Sequence, residues 1–299
     1  MINTPSSLSV KTAFSTGILG SLRYLVSIVV VCLFLFPVFW WALTSIKPPL
    51  AIFDRERTVV FDFQPTWANY GTIFGFTDNM LMQGLSAIKS SCIIAVGSTI
   101  LTLIIGLAGA YGFSRMMARR FNGLLSFFLI QRAIPPIVIA IPLVLIFRDF
   151  GLHDTHLGVI FAHSLINLPL AVLLLKSFVD DIPVDIDHAA MIDGATRLQC
   201  FCKILLPMMR GGIAATAVLC FVFSWTEFIL TIFLANTIQT IPIKVTTFSS
   251  WTFGYSSALG TTAMLPSFIF ILLFQRFLVR GLTVGTLKYR PSSVAERTL

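Results

Sequence analysis

The feature that most limits how this chain can fold is a set of six apolar runs that carry very few charges. About 20 consecutive apolar residues are enough for a helix to cross the hydrocarbon core of a bilayer. The first run is too long for the apolar part of a signal peptide, and no small-residue cleavage site follows it. The sequence therefore predicts an all-α integral membrane protein with six transmembrane helices. The runs cover approximately residues 24–44, 87–113, 124–147, 157–175, 212–234 and 261–278.

The composition agrees with a membrane protein and argues against other classes. Of the 299 residues, 56% are hydrophobic and only 11% are charged, whereas soluble domains are about a quarter charged. We expect one membrane bundle at residues 23–281, between an N-terminal tail (1–22) and a C-terminal tail (282–299). The net charge of +8 reports topology in such a protein, so it does not indicate nucleic-acid binding.

Lysine and arginine are distributed unequally between the two sides of the predicted bundle. If the N-terminus lies inside, most of these residues fall on the inner side, for example Arg115, Arg119 and Arg120 after the second run. Positively charged loops stay in the cytoplasm. We therefore expect both termini, and the polar segment at residues 180–207, to be cytoplasmic.

Residues 180–207 are the longest interruption of the apolar pattern in the second half, and they read DDIPVDIDHAAMIDGATRLQCFCKILLP. Pro183 suits the first turn of a helix, and an Asp-Gly pair then places Gly194 for a left-handed C-terminal cap. A second short helix is predicted over 196–205, with Pro207 marking its end. Two short amphipathic helices around a glycine turn are typical of a docking element. They are equally typical of a loop that lies on its own membrane face.

Sequence motifs of the common catalytic and metal sites are absent. The chain has no Walker A pattern, and it has neither an H-E-x-x-H nor a G-x-S-x-G motif. Cys200 and Cys202 have no matching His/Cys pair nearby, so we interpret them as small apolar residues. We therefore predict no catalytic residue and no metal site, and an enzyme is disfavoured. The five cysteines fall in predicted spans or in residues 180–207, so we expect no disulfide.

Polar residues inside the predicted spans are better candidates for function, because such residues usually face the bundle interior or a water-filled cavity. We single out Glu227, Trp225, Asn167 and Arg132 as possible residues of a translocation pathway. Trp225 is suited to stacking on a sugar, and Glu227 to accepting hydroxyl hydrogen bonds. The alternative is that Glu227 holds helices together through a partner such as Arg132. Prolines in the third run are expected to kink that helix.

The run HAAMIDGATRLQCFCKILLP at residues 188–207 resembles the EAA motif of binding-protein-dependent ABC importer permeases. In that family the segment is a cytoplasmic coupling helix that docks into a groove of the ATPase subunit. His188 stands where the family usually has Glu, with the acid Asp187 directly before it. The resemblance implies ATPase coupling for Asp187, His188, Ala189, Ala190, Asp193, Gly194, Ala195, Leu206 and Pro207.

Three further stretches resemble carbohydrate-uptake permeases of the maltose type: WTEF at 225–228, TIPIKVTTF at 240–248 and QRFLVRGLTVGTLK at 275–288. The resemblance implies the type I importer permease fold in a bacterial inner membrane. It also implies a second permease subunit, two ATPase subunits and a periplasmic substrate-binding protein. ATP and Mg²⁺ would then be bound by the partner ATPase, and this chain would need no cofactor of its own.

Other functions stay open at this point. An ion-coupled secondary carrier would need several intramembrane carboxylates and repeated halves, whereas Glu227 is the only acid placed well inside a run. A membrane scaffold or sensor without transport is a second alternative, which the kinking prolines disfavour. Within the importer family, glycerol phosphate or another charged sugar is a possible substrate, for which Arg132 would serve the anion.

Overall fold

Helices account for most of the described chain, because backbone groups in a bilayer must be paired within their own segment. The structure, a computed structural model, describes residues 7–53, 63–75, 84–116, 122–246 and 252–287. Arg119, Arg120 and the C-terminal residues 288–299, which were assigned to the inner side, lie outside the described residues.

The helices are numbered here in chain order, and two π-helical segments, Gly112–Met116 and Phe201–Leu205, interrupt them. The α-helices are α1 (Ser7–Ser45), α2 (Pro49–Ile52), α3 (Ala68–Ile73), α4 (Gly84–Tyr111), α5 (Asn122–Ala133), α6 (Pro136–Asp149), α7 (His156–Asp180), α8 (Val184–Ile192), α9 (Arg197–Cys200), α10 (Leu206–Met208), α11 (Arg210–Thr226), α12 (Ile229–Leu234), α13 (Ile241–Thr246) and α14 (Phe253–Leu287). α1 includes residues 7–22, which the sequence analysis assigned to a tail.

The described residues contain four helical segments that are long and apolar enough to cross a membrane: Ser21–Ser45, Gly84–Met116, His156–Asp180 and Phe253–Gln275. A fifth candidate is a pair of helices, Arg197–Met208 and Arg210–Thr226, that meet at a bend of 76°. The sequence predicted six transmembrane helices. The difference comes from two runs in which the helix is broken.

The third predicted run, residues 124–147, is two helices and not one kinked helix. α5 ends at Ala133 and α6 begins at Pro136. Each of the two helices is shorter than the about 20 residues that cross a bilayer. Pro135 has an extended backbone, with ψ 138°. A proline also disfavours the helical conformation of the residue before it. Two consecutive prolines therefore end one helix and start the next.

The fifth predicted run, residues 212–234, is also broken. α11 ends at Thr226, Glu227 has an extended backbone, and α12 begins at Ile229. Glu227 Oε1 accepts a hydrogen bond from Leu230 N at 3.0 Å. The side chain thus satisfies one of the N–H groups that the start of α12 leaves unpaired. Glu227 was predicted to lie within a continuous span, and the structure places it at the break.

The centre of the fold is the close packing of α4 against α7. The buried face of α4 is built mostly from small residues: Ala87, Ser91, Ala95, Ser98, Thr102, Gly106 and Ala110. A Cβ added at Gly106 would lie 3.3 Å from the Ala171 Cβ of α7. Small residues let helices in lipid approach closely and gain van der Waals contact. The periodicity of these residues therefore makes α4 and α7 a tightly packed pair.

The 180–207 segment packs against this bundle through a buried apolar cluster. Ile182 and Leu205 of the segment, and Met209 shortly after it, pack in this cluster, and all three are less than a tenth exposed. Their neighbours in the same cluster come from α4, α7 and α11: Ala110, Ala171, Leu175, Val179 and Cys220. The segment is thus continuous with the core and does not rest on it as a separate loop.

Asp154, between α6 and α7, fixes the loop that follows α12. Its Oδ1 accepts from Asn236 N and Thr237 N at 2.9 Å, and its Oδ2 accepts from Thr237 Oγ1 at 2.8 Å. Burial acts to raise the pKa of the Asp154 carboxyl, but these hydrogen bonds outweigh it and hold the pKa below its usual value. The backbone φ of 59° is one that Asp tolerates better than most residues. Asp154 therefore holds the end of α12 beside α6.

A steric prediction follows from the contact between α1 and α14. A Cβ at Gly260 would overlap the indole of Trp41, whereas one at Gly123 in α5 would meet nothing within 4 Å. We expect Gly260→Ala to lower the free energy of unfolding by about 1–3 kcal/mol through overpacking. Gly123→Ala should be neutral or stabilising, because alanine favours helices. Thermal unfolding of both variants in one detergent measures the difference, and equal melting temperatures would contradict this packing.

Candidate functional sites: the 180–207 segment and an intramembrane cavity

The turn in the 180–207 segment is the one that the sequence predicts. α8 ends at Ile192, and Gly194 follows two residues later with φ +88°. Gly194 N donates to Met191 O at 3.1 Å, and Ala195 N donates to Ala190 O at 3.0 Å. This pair of bonds is a Schellman cap, which requires a left-handed residue at this place. The predicted left-handed conformation of Gly194 is therefore confirmed.

The second helix of the segment begins with a complete capping box. Thr196 Oγ1 accepts from Gln199 N at 3.3 Å, and the Gln199 side chain accepts from Thr196 N at 2.9 Å. Two backbone donors at the start of α9 are thereby satisfied. The short turn between α8 and α9 is thus fixed from both sides.

The two prolines of the segment lie elsewhere than predicted. Pro183 was predicted in the first turn of a helix. It is instead the N-cap residue of α8, with ψ 135°, and the helix begins at Val184. Pro207 lies within α10, and the chain changes direction after it, at Met209. The π-helical segment Phe201–Leu205 directly precedes α10. Helical distortions of this kind accommodate the missing N–H of a proline.

The surface of the segment combines exposed apolar and polar side chains. Ile192 is 85% exposed and Leu198 is 71% exposed. His188 and Ala189 lie on the exposed side, whereas the neighbouring Ala190 is buried. The small pair at 189–190 is therefore divided between the surface and the core. Apolar residues exposed in this way are typical of a surface that another protein covers.

Asp187 faces inward. Its Oδ2 lies 2.5 Å from Arg115 Nε at the end of the α4 span. Cys200 Sγ donates to its Oδ1 at 3.1 Å. Asp187 and His188 are adjacent in sequence, but one is anchored in the protein and the other is exposed. The sequence predicted both residues on one docking surface. It did not indicate that Arg115, 72 positions away, is the partner of Asp187.

A cavity of about 250 Å³ opens where the two broken helices meet. Ile134 and Pro136 border it at the first break, and Thr226 and Glu227 border it at the second. Three of the four predicted pathway residues line this cavity: Arg132, Asn167 and Glu227. Residues far apart in sequence thus bring a guanidinium, a carboxylate and an amide to one cavity. The other lining residues are Gln131, Ile139, His163, Ile166, Pro169, Phe223, Ser224 and Leu230.

Arg132 and Glu227 face the same cavity without forming an ion pair, and both are among the described residues. The Arg132 guanidinium lies 4.8 Å from the ring centroid of Phe223, a cation–π arrangement. Glu227 accepts from the backbone of α12. The alternative that Glu227 mainly binds Arg132 is therefore not what this structure contains. Each charge is instead held by its own neighbour.

Trp225 does not lie with the other three predicted residues. It is 5% exposed and stacks on Phe221, with ring centroids 5.5 Å apart. Its Nε1 donates to Ala263 O of α14 at 3.0 Å. Trp225 stays a predicted pathway residue, placed by the structure in the α11–α14 contact.

His163 closes the break between α11 and α12 from the side of α7. Its Nδ1 lies 2.8 Å from Ser224 Oγ, and its Nε2 lies 3.0 Å from Thr231 Oγ1. Ser98 of α4 extends the network by donating to Ser224 Oγ at 2.8 Å. His163 is 2% exposed, so both ring nitrogens are satisfied within the protein. The sequence analysis gave His163 no role, because its partners lie in other helices.

Comparison with known proteins gives a consistent result. Residues 102–284 match the family described as binding-protein-dependent transport system inner membrane component. The sulfoquinovosyl glycerol transport system permease protein of Agrobacterium fabrum is 31% identical over 272 residues, covering 89% of this chain and 93% of that protein. The trehalose transport system permease protein of Mycobacterium tuberculosis is 32% identical over 264 residues, covering 85% of this chain and 92% of that protein.

Two solved structures share the fold. One belongs to a bacterial ABC transporter involved in the import of the acidic polysaccharide alginate, with a TM-score of 0.71 and 18% identity. It covers 92% of this chain and 99% of the other. The second is an inward-facing methionine ABC transporter, with a TM-score of 0.52 and 16% identity. It covers 72% of this chain and all of the other. At these identities the likeness concerns the fold alone.

The His163 network generates a stability prediction. Replacing His163 by Leu leaves the hydroxyls of Ser224 and Thr231 without that partner in a buried site, which we expect to cost about 1–3 kcal/mol. His156 in the same helix forms a hydrogen bond with Ser90 Oγ at a partly exposed position. His156→Leu is therefore the matched control and should cost less. Thermal unfolding compares the two, and an equal or larger loss in the control would contradict the role of His163.

Proposed function

The chain belongs to the family of binding-protein-dependent transport system inner membrane components, and on that premise we propose that it forms half of the membrane pathway of a sugar importer. Members of this family are permease components of ABC transporters and are not themselves enzymes. They work with ATPase and substrate-binding partners. The chain is thus a multi-pass inner-membrane permease. Its substrate, in our proposal, is a sugar, an oligosaccharide or a polyol.

The observation that carries the proposed substrate is the cavity between the broken helices. Its lining presents side-chain amides, hydroxyls, a carboxylate, a guanidinium and an imidazole among apolar side chains. Sugar hydroxyls both donate and accept hydrogen bonds, and these groups offer both roles. The volume of about 250 Å³ is slightly below the about 300–1,000 Å³ of typical ligand pockets. A second permease subunit that completes the wall would account for the difference.

The proposed assembly contains a second, different permease subunit, two ATPase subunits and a periplasmic binding protein. The ATPase subunits would bind ATP and Mg²⁺ and hydrolyse the nucleotide, so this chain would need no cofactor. The binding protein would deliver the substrate from outside. The name of the matched family, which refers to binding-protein-dependent transport, supports this arrangement.

We further propose six membrane crossings with both termini in the cytoplasm. α5 and α6 would together make the third crossing, and α11 and α12 together the fifth. The excess of lysine and arginine on the proposed inner side supports this orientation. Breaks within a crossing are tolerated where they line a cavity, and both breaks here border the same one.

The 180–207 segment is the proposed contact with the ATPase. Its exposed side carries His188, Ala189, Ile192 and Leu198, and its buried side continues into the core. Closure of the ATPase dimer on ATP binding would move the segment. The bundle would then pass from an inward-facing to an outward-facing conformation.

Purification of the chain from native membranes in a mild detergent tests the assembly. We expect it to bring one second permease and two ATPase copies with it, as quantified by mass spectrometry. Reconstitution of this complex with the binding protein should give ATP-dependent sugar uptake. A chain that purifies alone, and transports alone in liposomes with an ion gradient, would overturn the importer proposal in favour of a secondary carrier.

The cavity generates a prediction about substrate recognition. Glu227→Gln keeps an oxygen for Leu230 N but loses the charge, whereas Glu227→Ala loses both. A hydrogen bond to a charged group contributes about 1.5–3 kcal/mol, so we expect both variants to raise the KM of uptake about tenfold. Only the Ala variant should also lower thermal stability. Uptake kinetics of the reconstituted complex measure this, and an unchanged KM in both variants would remove Glu227 from the substrate site.

Uptake measurements can also test whether the substrate is charged. The Arg132 guanidinium faces the cavity without an acidic partner among the described residues. A neutral sugar requires no such charge, whereas glycerol phosphate or a sugar acid would bind to it. Competition of neutral and anionic sugars for uptake therefore decides between the two classes. Loss of anion competition in Arg132→Gln would assign the charged substrate to this residue.

The turn at Gly194 generates a prediction about coupling. Gly194→Val should reduce the amount of sugar taken up per ATP, because a β-branched residue at φ +88° costs about 1–3 kcal/mol. A Cβ there would meet nothing within 4 Å, so any effect comes from the backbone and not from a clash. Gly194→Asn is the control, since Asn tolerates this conformation. Equal coupling in the Val and Asn variants would contradict a role of this turn.

A further inference from the structure

One guanidinium holds the end of the α4 span to the 180–207 segment at two points. Arg115 Nε lies 2.5 Å from Asp187 Oδ2, and Arg115 Nη2 donates to Ile182 O at 2.7 Å. The two side chains are only 8% and 7% exposed. Arg115 thus binds both the backbone just before α8 and a side chain within α8.

Both carboxylate oxygens of Asp187 have partners within the chain. Oδ2 accepts from Arg115, and Oδ1 accepts from the thiol of Cys200 in α9. α8 and α9 are therefore attached to the same point. A buried carboxylate engaged on both oxygens is poorly placed to contact another subunit.

The π-helical segment Gly112–Met116 that carries Arg115 also binds the end of α7. Ser114 Oγ donates to Asp180 Oδ1 at 2.5 Å, and Lys176 Nζ lies 2.6 Å from Asp180 Oδ2. Three elements consequently meet at this segment: the end of α4, the end of α7 and the start of α8. Wide helical turns of this type occur frequently at functional sites.

We propose that Arg115 is a positioning residue for coupling, and that its pairing with Asp187 makes α8 and α4 move as one rigid body. The inference rests on the proposed function, because it requires a force applied to the 180–207 segment by an ATPase. It assigns Asp187 to an internal joint rather than to the docking surface, where the exposed His188 lies. Charge-assisted hydrogen bonds are short and directional, and a buried pair that loses one member leaves an uncompensated charge. Such a joint resists relative motion of the two helices.

The first test is a double-mutant cycle in the reconstituted complex. We expect Arg115→Gln and Asp187→Asn each to lower sugar uptake per ATP hydrolysed about fivefold, a typical lower value for coupling between two sites. The double variant should be no worse than either single one, because a residue whose partner is gone has nothing left to hold. Additive losses would show that the two residues act separately and would overturn the joint.

The matched control is Asp185→Asn, which removes the same charge from the first turn of α8 at an exposed position. It should couple as the unmodified protein does. A loss equal to that of Asp187→Asn would attribute the effect to the charge of the helix and not to the pair. Co-purification of the ATPase is measured for every variant, so that failed assembly, which would question the proposed function, is distinguished from uncoupling in an assembled complex.

A distance measurement tests the joint without altering it. Spin labels are placed at Met116→Cys and Asp185→Cys, both exposed positions, after the exposed Cys32, Cys92 and Cys202 are replaced by Ser. We expect the label distance to be the same in the nucleotide-free and the ATP-trapped complex. A shift of several ångström would show that α8 swings relative to α4 and would overturn the proposal.

Discussion

The structure depends on the requirement that every backbone polar group at membrane depth has a partner. A helix can stop inside a bilayer only where a side chain, another helix or a cavity supplies what the missing helical bonds would have supplied. The breaks after Ala133 and after Thr226 both meet this condition at the same cavity. Glu227 accepts a hydrogen bond from the first turn of α12, and His163 binds hydroxyls on both sides of the second break. The broken helices are therefore tolerated because polar side chains and a cavity lie beside the unpaired backbone groups.

α7 connects the two candidate sites physically. It supplies His163 and Asn167 to the cavity and runs into the 180–207 segment at Asp180. Its packing against the small residues of α4 leaves little room for sliding, because interiors at this density transmit displacement rather than absorb it. The Arg115–Asp187 pair lies at the end of that packed unit. A displacement of the surface segment thus has a continuous route of close contacts to the helices around the cavity.

Local chemistry was sufficient for some predictions and misleading for others. The left-handed Gly194 and the short helices around it follow from residue preferences over a few positions, and the structure has them. Pro207 was expected to end a helix, but the preceding π-helical segment accommodates it. Glu227 was expected inside a span because its neighbours are apolar. The structure instead breaks the helix at Glu227, and its carboxylate accepts a hydrogen bond from Leu230 N.

The sequence by itself determined the membrane class, the approximate positions of the apolar runs and the glycine turn. Hydrophobic length and φ preference are properties of neighbouring residues, so they can be read without a fold. Only the tertiary structure decided that Arg132, Asn167 and Glu227 share one cavity while Trp225 packs against α14. It also decided that Asp187 is buried against Arg115 while His188 is exposed. These outcomes depend on hydrogen-bond partners and packing faces from distant parts of the chain, and no local pattern specifies which partners will meet.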